Sequence, residues 1–426
     1  MFIQLTSTIK KFVRSRHSLS VVIIVVGIAT YGLHIFRMGF YWDDWPWIWL
    51  SHIKGPQGML KIDEYHRPLT GVVLYLGSLL AGENPVLWQS YNLLLRLMGV
   101  GALAWTLNKL WPHYRDRSIW VILLFLVYPG FSQQFVAVNT SRHIFPLITF
   151  FLSLGFMLKG TQGKKHSWLS AIIALTLSLI TMLTTEYYYG LEFIRPVLLW
   201  ICIRRDEKRF ISSVLSAFKA WLPYMIPLLV VFGWRYSVTM RVNYGITIFT
   251  EITSTSGNGI LQLIWNAVLD LFVAMFGGWG VAFEVSNLAM YGVRIQFYYW
   301  AIVTSISIGT LVYFFFLHQE EQDKAWRSEA IILGLAALVI SPLPFWVTGL
   351  DPKLAFSSDR FLLPSILGSS LLLAGAIDFL FKQAPIKVIF LSLIIGLSAG
   401  SHNQNAITYR RDWAYTISFF QQLTAR

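Results

Sequence analysis

Apolar stretches of about 17 to 25 residues recur along the chain from residue 20 to residue 402, each long enough to cross a hydrocarbon core of roughly 30 Å as an α-helix. In lipid such a segment must satisfy every backbone amide within itself or in a closed barrel. The runs here are continuous, as in SVVIIVVGIATYGLHIF, and lack the alternation of about ten residues per strand that marks a barrel. The chain therefore reads as an all-α polytopic membrane protein, although 426 residues would suffice for two or three soluble domains. Composition agrees, with 55% hydrophobic residues against 13% charged. A lone cysteine, Cys202, excludes an intrachain disulfide and a cysteine metal cluster.

The net charge of +13 acquires meaning when sorted by side. Lys10, Lys11, Arg14 and Arg16 precede the first run, about 20–38, and place the N-terminus in the cytoplasm. That run is an anchor, being too long for a cleaved signal and lacking its small-residue site. Further spans are expected near 85–109, 118–137, 143–159, 167–185, 187–203, 214–235, 295–317, 328–347, 362–381 and 386–402, about eleven in all, with the C-terminus outside. Basic clusters then fall on alternate connections: Lys109, Arg115 and Arg117; Lys159, Lys164 and Lys165; Arg204, Arg205, Lys208 and Arg209; HQEEQDKAWRSE; FKQAPIK. This parity requires 68–81 to lie on or dip into the outer face, and 260–283 to be re-entrant or interfacial with GGWG as its break.

The domains follow: a cytoplasmic tail 1–19, a transmembrane module 20–235 that includes an outer loop 39–84, an outer and re-entrant region 236–294, C-terminal helices 295–402, and a short amphipathic outer tail 403–426. No repeat of the transporter kind is visible. Basic residues dispersed over two sides of a membrane exclude nucleic acid and read as orientation signals and contacts to membrane lipids.

Residues 41–47 read YWDDWPW, with Asp43 and Asp44 framed by Tyr41, Trp42, Trp45 and Trp47. Rings at that depth form interfacial belts on many membrane proteins. Acids at the apolar boundary are costly unless paired, hydrated or functional. A carboxylate there suits deprotonation of an acceptor or coordination of a divalent cation, for which Asp43 and Asp44 are the available ligands. The same loop carries DEYHRPL, with Asp63, Glu64, His66 and Arg67, although Arg67 before Pro68 also suits a helix start. Gln89, Asn92 and Arg96 share one helix face and read as contacts between helices in preference to substrate contacts. HExxH and P-loop patterns are absent.

The order of these features resembles the GT-C superfamily, in particular its protein O-mannosyltransferase branch. The residues that carry the resemblance are the acidic pair, RPLT, NPVLWQSYNLLLRLMGVGALAWTL, YPGFSQQFVAVNTSRHIFPLITFFLSLGFML, TTEYYYGLEFIRPVLL and SSDRFLLPSILGSSLLLA. It covers 20–203 and 340–402 and departs where the family often has Asp-Glu for Asp43-Asp44 and histidine for Arg96.

The resemblance implies a GT-C-like helical bundle that moves one sugar, hexose or pentose, from a polyprenyl-phosphate donor to a hydroxyl of a glycan, lipid or protein. Transfer would invert the anomeric carbon on the outer side of the plasma (inner) membrane. It also implies Asp43 as general base with Asp44 orienting it, and no required cofactor, with Mg²⁺ or Mn²⁺ left open. Among residues placed outside, Arg360, Lys353, Arg142 and Arg67 are candidates for the donor phosphate, where the arginine fork binds two oxygens at once. Glu186, His66, Tyr41, Trp45 and His143 are candidates for the cavity wall or acceptor side. A transporter or lipid-linked-sugar flippase is the alternative, disfavoured because the acidic motifs concentrate in one outer loop.

Overall fold

The computed structural model describes residues 2–15, 17–162, 167–207, 209–239, 259–284, 292–317 and 324–425, which form helices and turns with no strand among them. Ten helical segments among the described residues are long and apolar enough to cross a membrane. Most coincide with the expected spans, from Ser18–Arg37 and Pro85–Leu110 through Ala137–Gln162 to Ser358–Leu380.

Two expected spans are replaced by shorter helices. In place of 118–137 there is Arg115–Val127, 13 residues long and buried from Asp116 onward. Pro129 and Gly130 stop it, and the residues that follow, polar Ser132, Gln133 and Gln134 among them, form a largely buried loop. In place of 187–203, short 3-10 turns lead into the 12-residue helix Arg195–Asp206, which Pro196 starts. Arg195 is fully buried there with its donors on Glu192 and Ser153.

For 260–283 the correction concerns the break expected at GGWG and not the re-entrant or interfacial placement. Leu261–Phe283 is one helical run of 23 residues, long enough to cross, that passes through a π-turn at Val273–Gly277 without breaking. The Ala274 carbonyl there accepts the Tyr128 hydroxyl at 2.6 Å and the Ser369 hydroxyl at 3.1 Å, which satisfies the loosened turn. Within GGWG, Gly278 serves packing: a Cβ there would lie 2.0 Å from the Tyr128 hydroxyl oxygen. The rest of the expected outer region 236–294 lies largely outside the described residues, as does most of HQEEQDK.

The C-terminal tail is also not a separate segment. Ala384–Thr424 is a single helix of 41 residues, about 60 Å at 1.5 Å per residue. No proline or glycine follows Gly400, so nothing stops it. Its extension brings Trp413 onto Gly39, where a Cβ would meet the ring at 1.9 Å.

The loop after the first span folds into helix Asp44–Lys54, a 3-10 turn Pro56–Lys61 and helix Thr70–Ala81, the last too short to cross. These pack through Ile48, Met59 and Leu74 onto Trp88, Ala137 and Val138. The Gln89, Asn92 and Arg96 face binds the loop 128–136. Gln89 donates to the Phe135 carbonyl at 2.7 Å, Asn92 to that of Gln134 at 2.6 Å, and Arg96 to the Gln134 side chain at 2.5 Å. Two in-span polar residues thus serve the backbone of a loop that has no ladder of its own, and Arg96 holds one of its side chains.

Candidate active site

The two adjacent carboxylates have separate surroundings. Asp44 is wholly buried and accepts the Asn139 amide at 2.9 Å and the Tyr41 amide at 3.3 Å. It thereby caps the helix Ala137–Gln162, whose first amides lack partners of their own. Burial pushes its carboxyl up to about 7, against the pull of those amides. A turn closed by the Asp44 amide on the Tyr41 carbonyl at 2.9 Å places Trp42 at φ +46°. That is a left-handed conformation costly for a bulky residue. Asp43, in the same turn, is about one-third exposed and stands 3.9 Å from Arg360 Nη1.

Arg360 arrives on the 3-10 segment Ser358–Ser365. Its neighbour Asp359 does not neutralise it. Asp359 is buried and accepts the Ser132 amide and hydroxyl, both at 2.6 Å, and the Gln133 side chain. With Asp359 committed to the loop 128–136, the Arg360 guanidinium packs over Trp42 and Phe361, each at 5.3 Å, and its Nε has no partner.

Arg360 borders a larger group of charges centred on Tyr187. Arg67 grips both oxygens of Glu186, and Arg235 Nη2 donates to the same carboxylate at 3.0 Å. Arg142 Nη1 donates to Asp63 at 3.0 Å, and Arg67 Nη1 lies 3.8 Å from the same oxygen. Tyr187 stacks on His143 at 4.6 Å and meets Phe361 edge-on at 5.7 Å, and Arg360, Arg67 and Arg142 all act on it. Burial alone would raise the Glu186 carboxyl, but Arg67 and Arg235 outweigh it and hold it down at about 2. The group sets four guanidiniums, those of Arg67, Arg142, Arg235 and Arg360, against three carboxylates, those of Asp43, Asp63 and Glu186. One positive charge is left over, at a place where Arg360 Nε and Arg142 Nε have no acceptor.

Of the residues expected from sequence, Asp43, Arg360, Arg67, Arg142, Glu186 and His143 come together here. His66 adjoins them through its carbonyl, which accepts Arg235 Nη2 at 3.2 Å. Lys353 is elsewhere: it pairs with Asp351 at 3.1 Å on the surface and acts on Asp270. Tyr41 donates to the Tyr409 carbonyl at 2.8 Å and Trp45 stacks near Trp413, so both rings seat the C-terminal helix. Asp63, Tyr187 and Arg235 belong to the group without having been singled out as site residues. Asp63 was visible in DEYHRPL, whereas Arg235 ends an ordinary apolar helix and carried no signal.

The acidic pair does not fit a divalent cation. Both Asp44 oxygens accept backbone amides, and Asp43 faces a guanidinium. Among the described residues no group of three or more His, Cys, Asp or Glu is placed to hold a metal.

No family model and no curated protein matches the chain. Among solved structures it is similar to ArnT from Cupriavidus metallidurans bound to undecaprenyl phosphate, with a TM-score of 0.48 at 12% identity over 92% of this chain and 78% of that one. The apo state of the same protein gives 0.43 at 11% identity, over 91% and 76%. With TM-scores below 0.5, the functional reading rests on this chain's own residues.

Proposed function

We propose that this chain is a GT-C-type inverting glycosyltransferase that moves one sugar from a polyprenyl-phosphate donor to a hydroxyl acceptor. The reaction takes place at the end of the bundle that carries the loop 39–84. The sidedness of the basic loops makes that end the outer face of the plasma (inner) membrane.

The observation that carries the reading is Asp43 at 3.9 Å from Arg360, on the rim of a group with one uncompensated positive charge. Inverting displacement needs a base on one face of the anomeric carbon and an anion holder on the opposite face, with the sugar between them. Asp43 accepts the acceptor's proton as the hydroxyl oxygen bonds to the anomeric carbon. The bond from that carbon to the phosphate oxygen breaks, its electron pair leaves with the phosphate, and Arg360 stabilises the growing charge. A single displacement inverts the anomeric configuration. Asp43 and Arg360 are loosely apposed at 3.9 Å, so a phosphate can take over the guanidinium and leave the carboxylate to the acceptor. Arg142 offers its unpartnered Nε, while Arg67, committed to Glu186, positions the group. Asp44 fixes the turn from beneath.

The reading stands at the GT-C superfamily and not at its O-mannosyltransferase branch, because the groups assembled here act on phosphate and proton, not on the sugar. The transporter alternative is weakened by the in-span charges. Arg96 is bound to Gln134 and Tyr31, and Asp378 to Lys387 and Arg327, so they brace helices.

The test is release of polyprenyl phosphate by the purified protein in proteoliposomes given polyprenyl-phosphate sugars and hydroxyl acceptors. Acceptor-dependent release supports transfer. Movement of solute without donor consumption contradicts it.

A further inference from the structure

A second cationic cleft lies between the end of the first span, the start of helix Val293–Phe316 and the helix Ala384–Thr424. It encloses about 570 Å³ and is lined by Arg37, Arg294 and Arg410, together with Leu33, His34 and Phe36. None of the three arginines has an ion-pair partner among the described residues. Arg294 sits in the first turn of a 24-residue helix, where the unpaired amides add positive potential. His34 is only 8% exposed, its Nε2 has no partner, and both Arg37 and Arg410 act on its ring. A buried ring nitrogen without a partner, acted on by two guanidiniums, is a polar group left unsatisfied in this cleft.

The walls indicate the rest of the occupant. Phe36 is 83% exposed and Leu33 45% exposed on the outside of the first span, and Val293 is 81% exposed beside Arg294. The cleft therefore opens onto apolar helix faces, and a ligand that suits it has a charged head and an apolar body. Positive residues at this end, read as outer, are not explained by orientation, which draws arginine to the other side. The cleft is also separate from the Asp43 and Arg360 group. Ile407 and Arg410 lie three residues apart on one face of the long helix, whereas Tyr409 and Trp413 lie four apart on another and pack against Tyr41.

We propose that this cleft seats the phosphate of an anionic lipid, held by Arg37, Arg294 and Arg410, with the chains laid along Leu33 and Phe36. This does not depend on the glycosyltransferase reading.

The full-length protein in mixed micelles of phosphatidylcholine and phosphatidylglycerol, or phosphatidylcholine and a polyprenyl phosphate, is examined by native mass spectrometry for retained lipid. The wild type is expected to retain an anionic lipid over phosphatidylcholine. Preference for phosphatidylglycerol marks a phospholipid, preference for the polyprenyl phosphate marks a second seat for that lipid, and both support the assignment. The Arg37→Ala/Arg410→Ala protein is expected to bind about 30-fold more weakly, from two lost lipid-facing charges, with Lys54→Ala unchanged. Arg294→Ala, at an exposed position, gives the same reading if the double variant does not fold. Equal retention of anionic and neutral lipid, or undiminished retention in the variants, overturns the proposal. Displacement by millimolar inorganic phosphate makes the ligand a free anion and overturns the lipid assignment.

Discussion

Replacing Arg360 probes the proposed chemistry at the group that meets the leaving phosphate. Its side chain is 22% exposed, its Nη1 is only 3.9 Å from Asp43, and its Nε has no partner, so two donors can turn to an incoming phosphate. Donors aimed at charge that grows in the transition state are each worth about 10²- to 10³-fold in kcat. Arg360→Ala is therefore expected to lower kcat by about 10²- to 10³-fold and to weaken donor binding as well, since part of the interaction exists before the bond breaks. Arg360→Lys keeps the charge but not the planar fork, and is expected to recover about tenfold of that loss. The assay is polyprenyl phosphate release against donor concentration at saturating acceptor, with a second series against acceptor. Because Asp359 and not Arg360 holds the loop 128–136, both variants are expected to keep the wild-type Tm. A change confined to the acceptor's KM would place Arg360 on the acceptor side and refute the assignment.

Glu186→Gln breaks a partly buried carboxylate shared by Arg67 and Arg235, and by the depressed carboxyl value of about 2 it should cost about 3 kcal/mol at neutral pH. A folded value below the unfolded one gives stability that is full above about 4.5 and lost as pH falls from there toward about 2, so wild type and variant should converge in acid unfolding curves and differ most above pH 5. Gly278→Ala drives a Cβ to within 2.0 Å of the Tyr128 hydroxyl and is expected to destabilise by about 1–3 kcal/mol; an unchanged Tm would refute the close packing that carries Leu261–Phe283 past Tyr128. Lys353→Ala removes only a surface pair with Asp351 and is expected to leave the donor KM within about twofold, measured in the same release assay.

The membrane architecture is legible in the sequence because lipid imposes one solution on every long apolar run, and Ser18–Arg37, Pro85–Leu110 and Val293–Phe316 fall where hydropathy places them. It misleads where protein replaces lipid as the surroundings. The residues after Pro129, GFSQQFV, sit within a run read as one span, yet they form a loop whose carbonyls are met by Gln89 and Asn92, an arrangement no window of hydropathy contains. The long C-terminal helix was hidden because its last turns are polar on a chain judged by apolarity, although the absence of any breaker after Gly400 was plain. In the site, Asp43, Arg67, Glu186 and Arg360 were visible through motifs in loops and at span ends. The resemblance singled out Asp43 over Asp44, but the reason the two adjacent aspartates part company was not visible, since it depends on the turn that puts Trp42 at φ +46° and Asp44 under the helix Ala137–Gln162. Arg235 was beyond reach for a different reason: its partner Glu186 is 49 residues away.

The most direct test of the central claim is the pre-steady-state rate of sugar transfer in Asp43→Asn, with donor and acceptor both saturating and donor binding measured separately. The substitution keeps the shape of the side chain and removes its basicity, while Asp44, whose oxygens serve the Tyr41 and Asn139 amides, cannot take over. The account predicts a transfer rate lower by about 10²-fold or more, with donor affinity within a few-fold of wild type. A variant that transfers sugar at close to the wild-type rate would contradict it.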